Sequence, residues 1–349
     1  MIENPFNPSF GERPERFIGR EQIISNFVKS LKNPNSPWKT SIITGIRGSG
    51  KTAILADITK EFAQDKSVIT VSMDASDNLL EDALSRLYYK LPKTIVEELS
   101  GTIEFSFLGM KAGIQQNGQN MPSFLDNFSY QLMQMLKILQ KKEIKVLFLI
   151  DEIQRHTGQM RTFASTYQIL KREGFQVYMM MAGLPQALSD VLNDDLLTFL
   201  NRAKRVQLEN IPVNIVTIDY MQAFQKRNLN LSEHFFEQAA QATLGYPYLM
   251  QLIGYYLWEN ADDEMNDLAL KKAIIQAKEE VFQNVADIMF RALSENDQAF
   301  LFHMVQDTNF STIKDIQKRF GESKGYVGVY RKRLIDVGVI EVLGHGKLG

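Results

Sequence analysis

The sequence contains no cysteine among its 349 residues. This absence excludes disulfides, thiolate metal sites and cysteine nucleophiles together. Long apolar runs are missing too, because the longest strongly apolar stretch near the middle of the chain, 146–150, is far shorter than the ~20 residues that span a bilayer. The first six residues have neither the basic nor the apolar stretch that begins a secretory signal. Together these absences predict a cytoplasmic protein with no membrane partner.

A marked excess of either charge is also absent, with 39 lysines and arginines against 41 aspartates and glutamates. The net charge of −2 gives no global field that would attract nucleic acid, so any such partner must meet a local patch. What is present is the composition of an ordinary globular protein, with 44% hydrophobic and 23% charged residues. A chain of this length predicts two or three domains.

The first half of the chain has the pattern of an α/β fold. A Pro- and Asn-rich lead-in and a helix come first, and from residue 40 to about 210 short apolar runs alternate with helical patterns. This alternation predicts βαβ units around a parallel sheet. A period-two pattern around Gly109 predicts a β-hairpin inserted near 102–116, within a first domain of residues 1–212. The candidate strands are 40–44, 67–73, 145–150, 176–181 and 204–208.

Beyond Pro212 the strand signals stop, and residues 213–290 carry helical periodicity. Gly245-Tyr246-Pro247 separates two of these helices, with the proline well placed at a helix start. This stretch predicts a helical lid over the α/β core.

The last part of the chain, residues 291–349, has the element order of a winged helix. Ser294 and Asp297 have the spacing of a capping box at the start of its first helix. A hairpin is expected after 339–343, and the sequence ends where the returning wing strand should begin, which predicts a truncated wing. The three predicted helices are 295–306, 312–320 and 323–336.

The sharpest feature is the segment 45–52, which we call the glycine-rich loop. It reads Gly-Ile-Arg-Gly-Ser-Gly-Lys-Thr and matches the phosphate-loop pattern G-x-x-x-x-G-K-[ST]. In that pattern, backbone N–H groups and a helix N-terminus wrap the phosphates, Lys51 reaches the β- and γ-phosphates, and the Thr52 hydroxyl ligates Mg²⁺. An apolar strand before the loop and a helical pattern after it favour this interpretation over a plain strand-to-helix turn. The residues expected to hold the nucleotide are Gly45, Arg47, Gly48, Ser49, Gly50, Lys51 and Thr52.

Two carboxylates, Asp151 and Glu152, directly follow the apolar run 146–150, which predicts a strand buried on both faces. Ligands of an open parallel sheet lie at this carboxyl end of the strands. Asp151 is expected to hold Mg²⁺, directly or through water, and Glu152 to polarise an attacking water as general base. An Asp-Glu pair in this place is often only a solvated strand end. Arg47 either contacts a phosphate or pairs with Glu152.

These residues resemble the AAA+ ATPases, and most closely the branch that holds the origin-recognition initiators, the transposition ATPases and the archaeal-type STAND-like ATPases. The segment Phe17-Ile18-Gly19-Arg20-Glu21 is similar to the family's box ahead of the first strand, which contacts the adenine. The resemblance implies a P-loop NTPase sheet with a helical lid, and ATP and Mg²⁺ as ligands. It also implies that Ile18, Gly19 and Arg20 lie beside the base.

Two features depart from the family's pattern. The first sensor, a polar residue that ends the fourth strand, has no counterpart in 179–185. The second sensor, a lid arginine at the last position of Gly-x-x-Arg, is replaced in Gly245-Tyr246-Pro247-Tyr248, which resembles the Gly-x-Pro motif of STAND ATPases, where the proline packs by the nucleotide. The resemblance therefore implies ATP binding with slow hydrolysis, as in a switch rather than a motor.

The family also presents an arginine finger to a neighbouring subunit from the segment before the fifth strand. Arg202 and Arg205 occupy that place, and we favour Arg202. The alternative is that both arginines cap the preceding helix or face water, as exposed arginines usually do. A finger implies a nucleotide-dependent homo-oligomer.

Residues 311–349 hold eight basic and four acidic residues, a local charge of +4 in a chain whose total is −2. The basic residues, mixed with aromatics on the third helix, suit contacts to DNA phosphates with little reading of bases. The alternative is a surface that contacts protein. Two functions stay open: an ATP-controlled DNA-binding switch, and a STAND-like signalling or defence regulator.

Overall fold

The structure is a computed structural model that describes residues 3–9, 18–33, 35–100, 124–153, 158–192, 194–227, 231–260, 265–344 and 346–349. The hairpin predicted at 102–116 and Phe17 of the adenine box lie outside these residues. Within the described residues, no helix is both long and apolar enough to cross a membrane.

Five parallel strands form the central sheet, in the order β2-β3-β4-β1-β5. The predicted parallel α/β fold is confirmed. The largest difference is that β3 runs three residues beyond its predicted end. The strands are β1 (Thr40–Thr44), β2 (Val68–Asp74), β3 (Lys145–Ile153), β4 (Val177–Gly183) and β5 (Lys204–Gln207).

Helices cover both faces of this sheet, which explains the unbroken apolar runs 146–150 in β3 and 177–182 in β4. Successive residues of β3 alternate between two buried clusters: Phe148 and Ile150 pack with α3–α6, and Leu147 and Leu149 pack with α1 and α2. Short 3₁₀ segments cover Pro37–Lys39 and Asp195–Arg202. The helices are α1 (Glu21–Ser30), α2 (Lys51–Glu61), α3 (Leu79–Tyr89), α4 (Lys93–Ser100), α5 (Phe124–Lys141), α6 (Gly158–Arg172) and α7 (Pro185–Leu192).

Four further helices, the lid helices, enclose a core of their own that is rich in aromatic rings. Tyr220, Phe224 and Trp258 are each at most 1% exposed. The lid helices are α8 (Val213–Gln225), α9 (Glu233–Ala242), α10 (Pro247–Glu259) and α11 (Asp267–Val281).

Phe6, from the N-terminal segment, is part of this lid core. Its ring centroid lies 5.6 Å from that of Tyr220 and 6.4 Å from that of Trp258. Gly254 makes room for it, because a Cβ at that position would lie 2.4 Å from Cδ1 of Phe6. The backbone N–H of Asn7 then donates to Oε1 of Gln251 at 3.0 Å. These contacts hold residues 3–9 against α10.

The C-terminal unit begins after α11, which runs through one π-helical turn (Phe282–Ala286) into α12 (Asp287–Arg291). Ser294 accepts from the backbone N–H of Asp297 at the next helix start, so the predicted cap is confirmed. The elements that follow are α13 (Glu295–Met304), β6 (Ser311–Thr312), α14 (Ile313–Phe320), α15 (Lys324–Asp336), β7 (Val342–Gly344) and β8 (Lys347–Leu348).

The prediction that the wing lacks its returning strand is wrong. β8 pairs antiparallel with β7 and also with β6, in the order β6-β8-β7. A strand of two residues is enough because it lies between two partners and because Leu348 is fully buried in the core of the unit. The described part of the C-terminal unit therefore contains the helices α13, α14 and α15 and a three-stranded antiparallel sheet.

Candidate functional site

A cavity of about 620 Å³ lies at the carboxyl edge of the sheet. The glycine-rich loop and the ends of β3 and β4 form one wall, and lid helix α10, the end of α11 and residues 7–9 form the other. Parallel strands meet at this edge, so loops from distant parts of the chain converge there. The sequence-predicted residues that line the cavity are Ile18, Arg47, Gly48, Gly50, Lys51, Thr52, Asp151, Glu152 and Pro247.

The glycine-rich loop connects β1 to α2 through two left-handed residues, Gly48 (φ 75°) and Gly50 (φ 91°). Gly50 is the N-cap of α2, so the positive end of this helix faces the cavity. Gly45 and Ser49 do not line the cavity but shape the loop from behind. A Cβ at Gly45 would lie 2.3 Å from Oγ of Ser49, so a side chain there would force Ser49 to move.

Lys51 folds back over the loop. Its Nζ donates to the backbone carbonyls of Gly45 at 2.9 Å and Ile46 at 2.8 Å. An ammonium has three donors, so one remains for an anion in the cavity. The two bonds hold the charge over the loop before any ligand arrives.

Burial of Lys51 opposes the charge on its ammonium group. Burial lowers the pKa of Lys51 from 10.5 to about 8, with Arg47 adding to the decrease and Asp151 and Glu152 opposing it. A buried cation without full compensation gains from an incoming anion. The site is therefore prepared for a negatively charged ligand.

Thr52 and Asp151 connect the loop to β3. The Thr52 hydroxyl donates to Oδ2 of Asp151 at 2.6 Å, and the other carboxylate oxygen accepts from the backbone N–H of Glu152 at 2.8 Å. Asp151 is only 8% exposed, so these bonds satisfy a carboxylate with little access to water. A hydroxyl and a carboxylate oxygen side by side are ligands that suit Mg²⁺.

Glu152 is exposed and left-handed, with φ 51°, which is uncommon for a residue other than glycine. The strand register between β3 and β4 shifts between Ile150 and Ile153. Such a bulge turns a side chain away from the direction that the strand pleat would give it. Glu152 therefore lines the cavity beside Asp151, although it is the next residue along the strand.

Apolar side chains from several parts of the chain also line the cavity. Ile18 precedes α1, Ile211 follows β5, and Pro247 and Met250 belong to α10. The structure thus brings Ile18 and Pro247, which are far apart in sequence, to one cavity.

Gly19 and Arg20 do not line the cavity but lie behind Ile18. Gly19 is left-handed (φ 72°), and a Cβ there would lie 3.3 Å from Cγ2 of Ile211. Nη2 of Arg20 donates to the carbonyl of Glu209 at 2.5 Å, and burial lowers the pKa of Arg20 while Glu209 opposes this. Gly19 and Arg20 therefore support the cavity wall without lining the cavity themselves.

Sequence reasoning missed residues 7–9 and the polar side chains of the lid. Asn7, Pro8 and Ser9 line the cavity, as do Gln251, Glu280 and Asn284. The Asn-Pro repeat of the lead-in was visible in the sequence, but no periodicity connects it to α10. Glu280 and Asn284 lie four residues apart, which is one helical turn, and no motif marks them.

The missing first sensor has a steric cause. β4 ends at Gly183, which lines the cavity where a polar side chain was expected. A Cβ at Gly183 would lie 2.7 Å from the carbonyl oxygen of Ile153. The bulge that turns Glu152 toward the cavity thus leaves no room for a side chain at Gly183.

Arg202 lies away from the cavity of its own chain. It ends the 3₁₀ segment before the amino end of β5, and its side chain is exposed. Four strand residues at ~3.3 Å each separate that end from the cavity edge, about 13 Å. Nη2 of the neighbouring Arg205 donates to Oδ1 of Asn201 at 3.0 Å.

Comparison with solved structures identifies the fold. The structure superposes on the Walker-type ATPase PABY2304 of Pyrococcus abyssi with a TM-score of 0.67 and 15% identity, over 97% of this chain and 94% of that one. The chain has the fold of a Walker-type ATPase. It is similarly close to the ORC2 protein of Aeropyrum pernix in its ADPNP–ADP complexes, with a TM-score of 0.65 and 13% identity over 98% and 91% of the two chains. The predicted resemblance to the origin-recognition branch is confirmed at the level of the fold.

Comparisons of sequence add little to this. Residues 283–349 match a family model described as a domain of unknown function (DUF8462). The chain matches no curated protein sequence. The activity must therefore be argued from the site itself.

The lowered pKa of Lys51 predicts how stability depends on pH. Between about pH 8 and 10.5 the folded protein has lost this proton while the unfolded chain keeps it, so stability rises with pH in that window. Below about pH 8 the cost of burying the charged ammonium is fully present. Lys51→Met removes this titration, so the thermal midpoint of the wild type relative to the variant should increase from about pH 7 to pH 10.

If the thermal midpoints of the wild type and of Lys51→Met change with pH in parallel, the lowered pKa of Lys51 is contradicted. Burial also lowers the pKa of Lys171 to about 8, but both proteins keep that lysine, so its contribution cancels in the difference.

Proposed function

We propose that this protein binds ATP with Mg²⁺ and acts as a slowly hydrolysing switch, in which the state of the glycine-rich loop controls DNA binding by the C-terminal unit. The observation that carries the nucleotide assignment is the hydrogen bond of 2.6 Å between Thr52 and Asp151 at the mouth of the loop. It supports a shared magnesium site directly beside the place where backbone N–H groups would hold phosphates. ADPNP and ADP bound to the Aeropyrum pernix ORC2 protein further support nucleotide binding by this fold.

Each residue of the site has a role under this proposal. Lys51 donates its remaining N–H to the β- and γ-phosphates, and Thr52 and Asp151 ligate Mg²⁺, which neutralises phosphate charge when bound. Glu152 accepts a proton from the attacking water. Ile18 and Pro247 pack against the base.

Slow hydrolysis follows from what surrounds Glu152. Gly183 supplies no polar group to hold the water, and Tyr248 stands in the lid at the position where the resembled family has an arginine. Positioning and charge stabilisation supply most of the catalysis of phosphoryl transfer. The absence of these two polar groups should leave ATP binding unaffected and should lower the rate of ATP hydrolysis.

Lys51→Ala and Glu152→Gln should separate binding from hydrolysis. Removing the ammonium should weaken ATP binding by at least about tenfold, because a hydrogen bond from a charged donor is lost. Glu152→Gln should keep the affinity within about twofold and lower turnover by about a hundredfold, because an amide cannot act as a base. Calorimetry measures the first effect and phosphate release the second.

Lys66→Ala, an exposed lysine in the turn between α2 and β2, is the control for loss of charge and should leave ATP binding unchanged. Unchanged affinity in Lys51→Ala would refute the nucleotide site.

A direct contact supports coupling between the loop and the C-terminal unit. Gly338 follows α15 in a left-handed conformation (φ 74°), and a Cβ there would lie 2.5 Å from Cγ2 of Ile46 in the glycine-rich loop. The helix that carries four of the eight basic residues of 311–349 thus ends against the loop. A shift of Ile46 on nucleotide binding would move the end of α15.

The surface proposed for DNA is one exposed face of α15. Lys324 and Lys332 lie on it, two turns apart, and Gly328 between them leaves open space. Arg333 is not counted among the proposed contacts, because its Nη2 already lies 2.7 Å from Oδ2 of Asp297. Phosphate contacts of this kind bind without selecting sequence.

Replacing Lys324 and Lys332 together by Gln should weaken duplex DNA binding and reduce the slope of log affinity against log salt by about 1.8, at 0.9 per contact. Gly338→Ala should abolish the difference between DNA affinities with and without ATP, because its Cβ displaces Ile46. Fluorescence anisotropy at several salt concentrations measures both effects.

Matched controls exist for both changes. Replacing Lys271 and Lys272 by Gln removes the same charge from an exposed part of α11. This control should leave the salt slope unchanged. Gly321→Ala carries the same left-handed strain (φ 72°) with nothing within 4 Å, so it should retain the ATP dependence. A wild type that does not bind DNA, or an unaltered salt slope, would favour the regulator that contacts protein.

Arg202 is proposed as a finger for the cavity of a neighbouring copy, because it lies exposed at the edge of the sheet opposite its own cavity. Turnover per protomer should then rise with protein concentration, and Arg202→Ala should remove this rise while leaving ATP affinity intact. Arg205→Ala is the neighbouring control. Turnover that does not change with concentration would return Arg202 to a structural role.

A further inference from the structure

Tyr246 extends from the lid to the glycine-rich loop. Its hydroxyl donates to the backbone carbonyl of Arg47 at 2.8 Å. A Cβ at Gly48 would lie 2.2 Å from this hydroxyl oxygen and 2.8 Å from Cζ of the ring. The ring therefore packs directly on the loop, in a space that only glycine leaves open.

The backbone before Tyr246 fixes this position. Leu244 and Gly245 are both left-handed, with φ of 52° and 72°. The N–H of Ile211 donates to the Gly245 carbonyl at 2.8 Å, and a Cβ at Gly245 would lie 2.3 Å from the Ile211 carbonyl oxygen. Pro247 then starts α10. A strained turn held on both sides aims Tyr246 at one place.

The hydrogen bonds of the loop carbonyls show what this contact does. The carbonyls of Gly45 and Ile46 accept from Lys51, and the next one, that of Arg47, accepts from Tyr246. A carbonyl that turned into the loop would present its negative end to a phosphate. The N–H of Ser49 also donates to the Ile46 carbonyl, at 3.2 Å. With these three carbonyls held by donors, the other N–H groups of the loop are left to face an anion.

We propose that Tyr246 is a positioning residue for phosphate binding, which holds the Arg47–Gly48 peptide in its anion-binding orientation and fastens the lid to the loop. This proposal rests on the proposed nucleotide site. The lid thereby contacts the loop backbone through a neutral hydrogen-bond donor, instead of contacting the phosphates through an arginine. Burial raises the pKa of Tyr246 to about 12, so the hydroxyl keeps its proton and donates at any physiological pH.

The test compares the full-length wild type with Tyr246→Phe, which keeps the ring on Gly48 and removes only the hydroxyl. Tyr178→Phe is the matched control, because it removes a hydroxyl that donates to Oε1 of Gln176 at 2.7 Å, at the amino end of β4 and away from the loop and the cavity. Hydrogen–deuterium exchange of residues 45–52 is measured without nucleotide, and affinity for ATP and ADP is measured by calorimetry. Thermal midpoints verify that both variants are folded.

We expect faster loop exchange in Tyr246→Phe than in the wild type or in Tyr178→Phe. Affinity for ATP and ADP should fall by about three- to tenfold in Tyr246→Phe alone, the range for one lost hydrogen bond. Unchanged loop exchange, or unchanged affinity, in this variant would overturn the proposal. A wild type that binds neither nucleotide would refute the proposed function, while the exchange comparison would still decide whether Tyr246 orders the loop.

Discussion

The hydrogen bond between Thr52 and Asp151 joins segments that lie 99 residues apart in sequence. It depends on the sheet, because β1 leads into the glycine-rich loop, β3 ends at Asp151, and β4 lies between the two strands. All three strands run parallel and end at one edge, which is why a hydroxyl and a carboxylate meet there. The loop, the cavity and the proposed magnesium ligands all depend on this register.

The glycine-rich loop is also where three parts of the chain meet. Ile46 contacts Gly338 of the C-terminal unit, and the next two residues, Arg47 and Gly48, contact Tyr246 of the lid. The backbone of the loop is therefore supported from outside by two units, while its inner side faces the cavity. A ligand that moves this loop by a fraction of an ångström must disturb packed contacts on both sides, because packed contacts tolerate little displacement.

The same bulge both builds and limits the proposed catalytic centre. It turns Glu152 toward the cavity, and it brings the carbonyl of Ile153 so close to Gly183 that no side chain fits at the end of β4. The backbone of Ile153 thus occupies the space that a polar side chain at Gly183 would need. This packing is one of the two observations on which the proposed slow hydrolysis rests.

The sequence by itself determined the parallel sheet, the glycine-rich loop and the Asp151-Glu152 pair, because these depend on local patterns: apolar runs, glycines at a fixed spacing, and carboxylates after a buried strand. It did not reveal that Phe6 fills the lid core, that Tyr246 donates to Arg47, or that β8 completes the wing. Those contacts join residues without shared periodicity, and they exist only because helices pack at particular angles and distances. Tertiary packing alone decided which side chains surround the loop, since burial and close approach are properties of the folded chain.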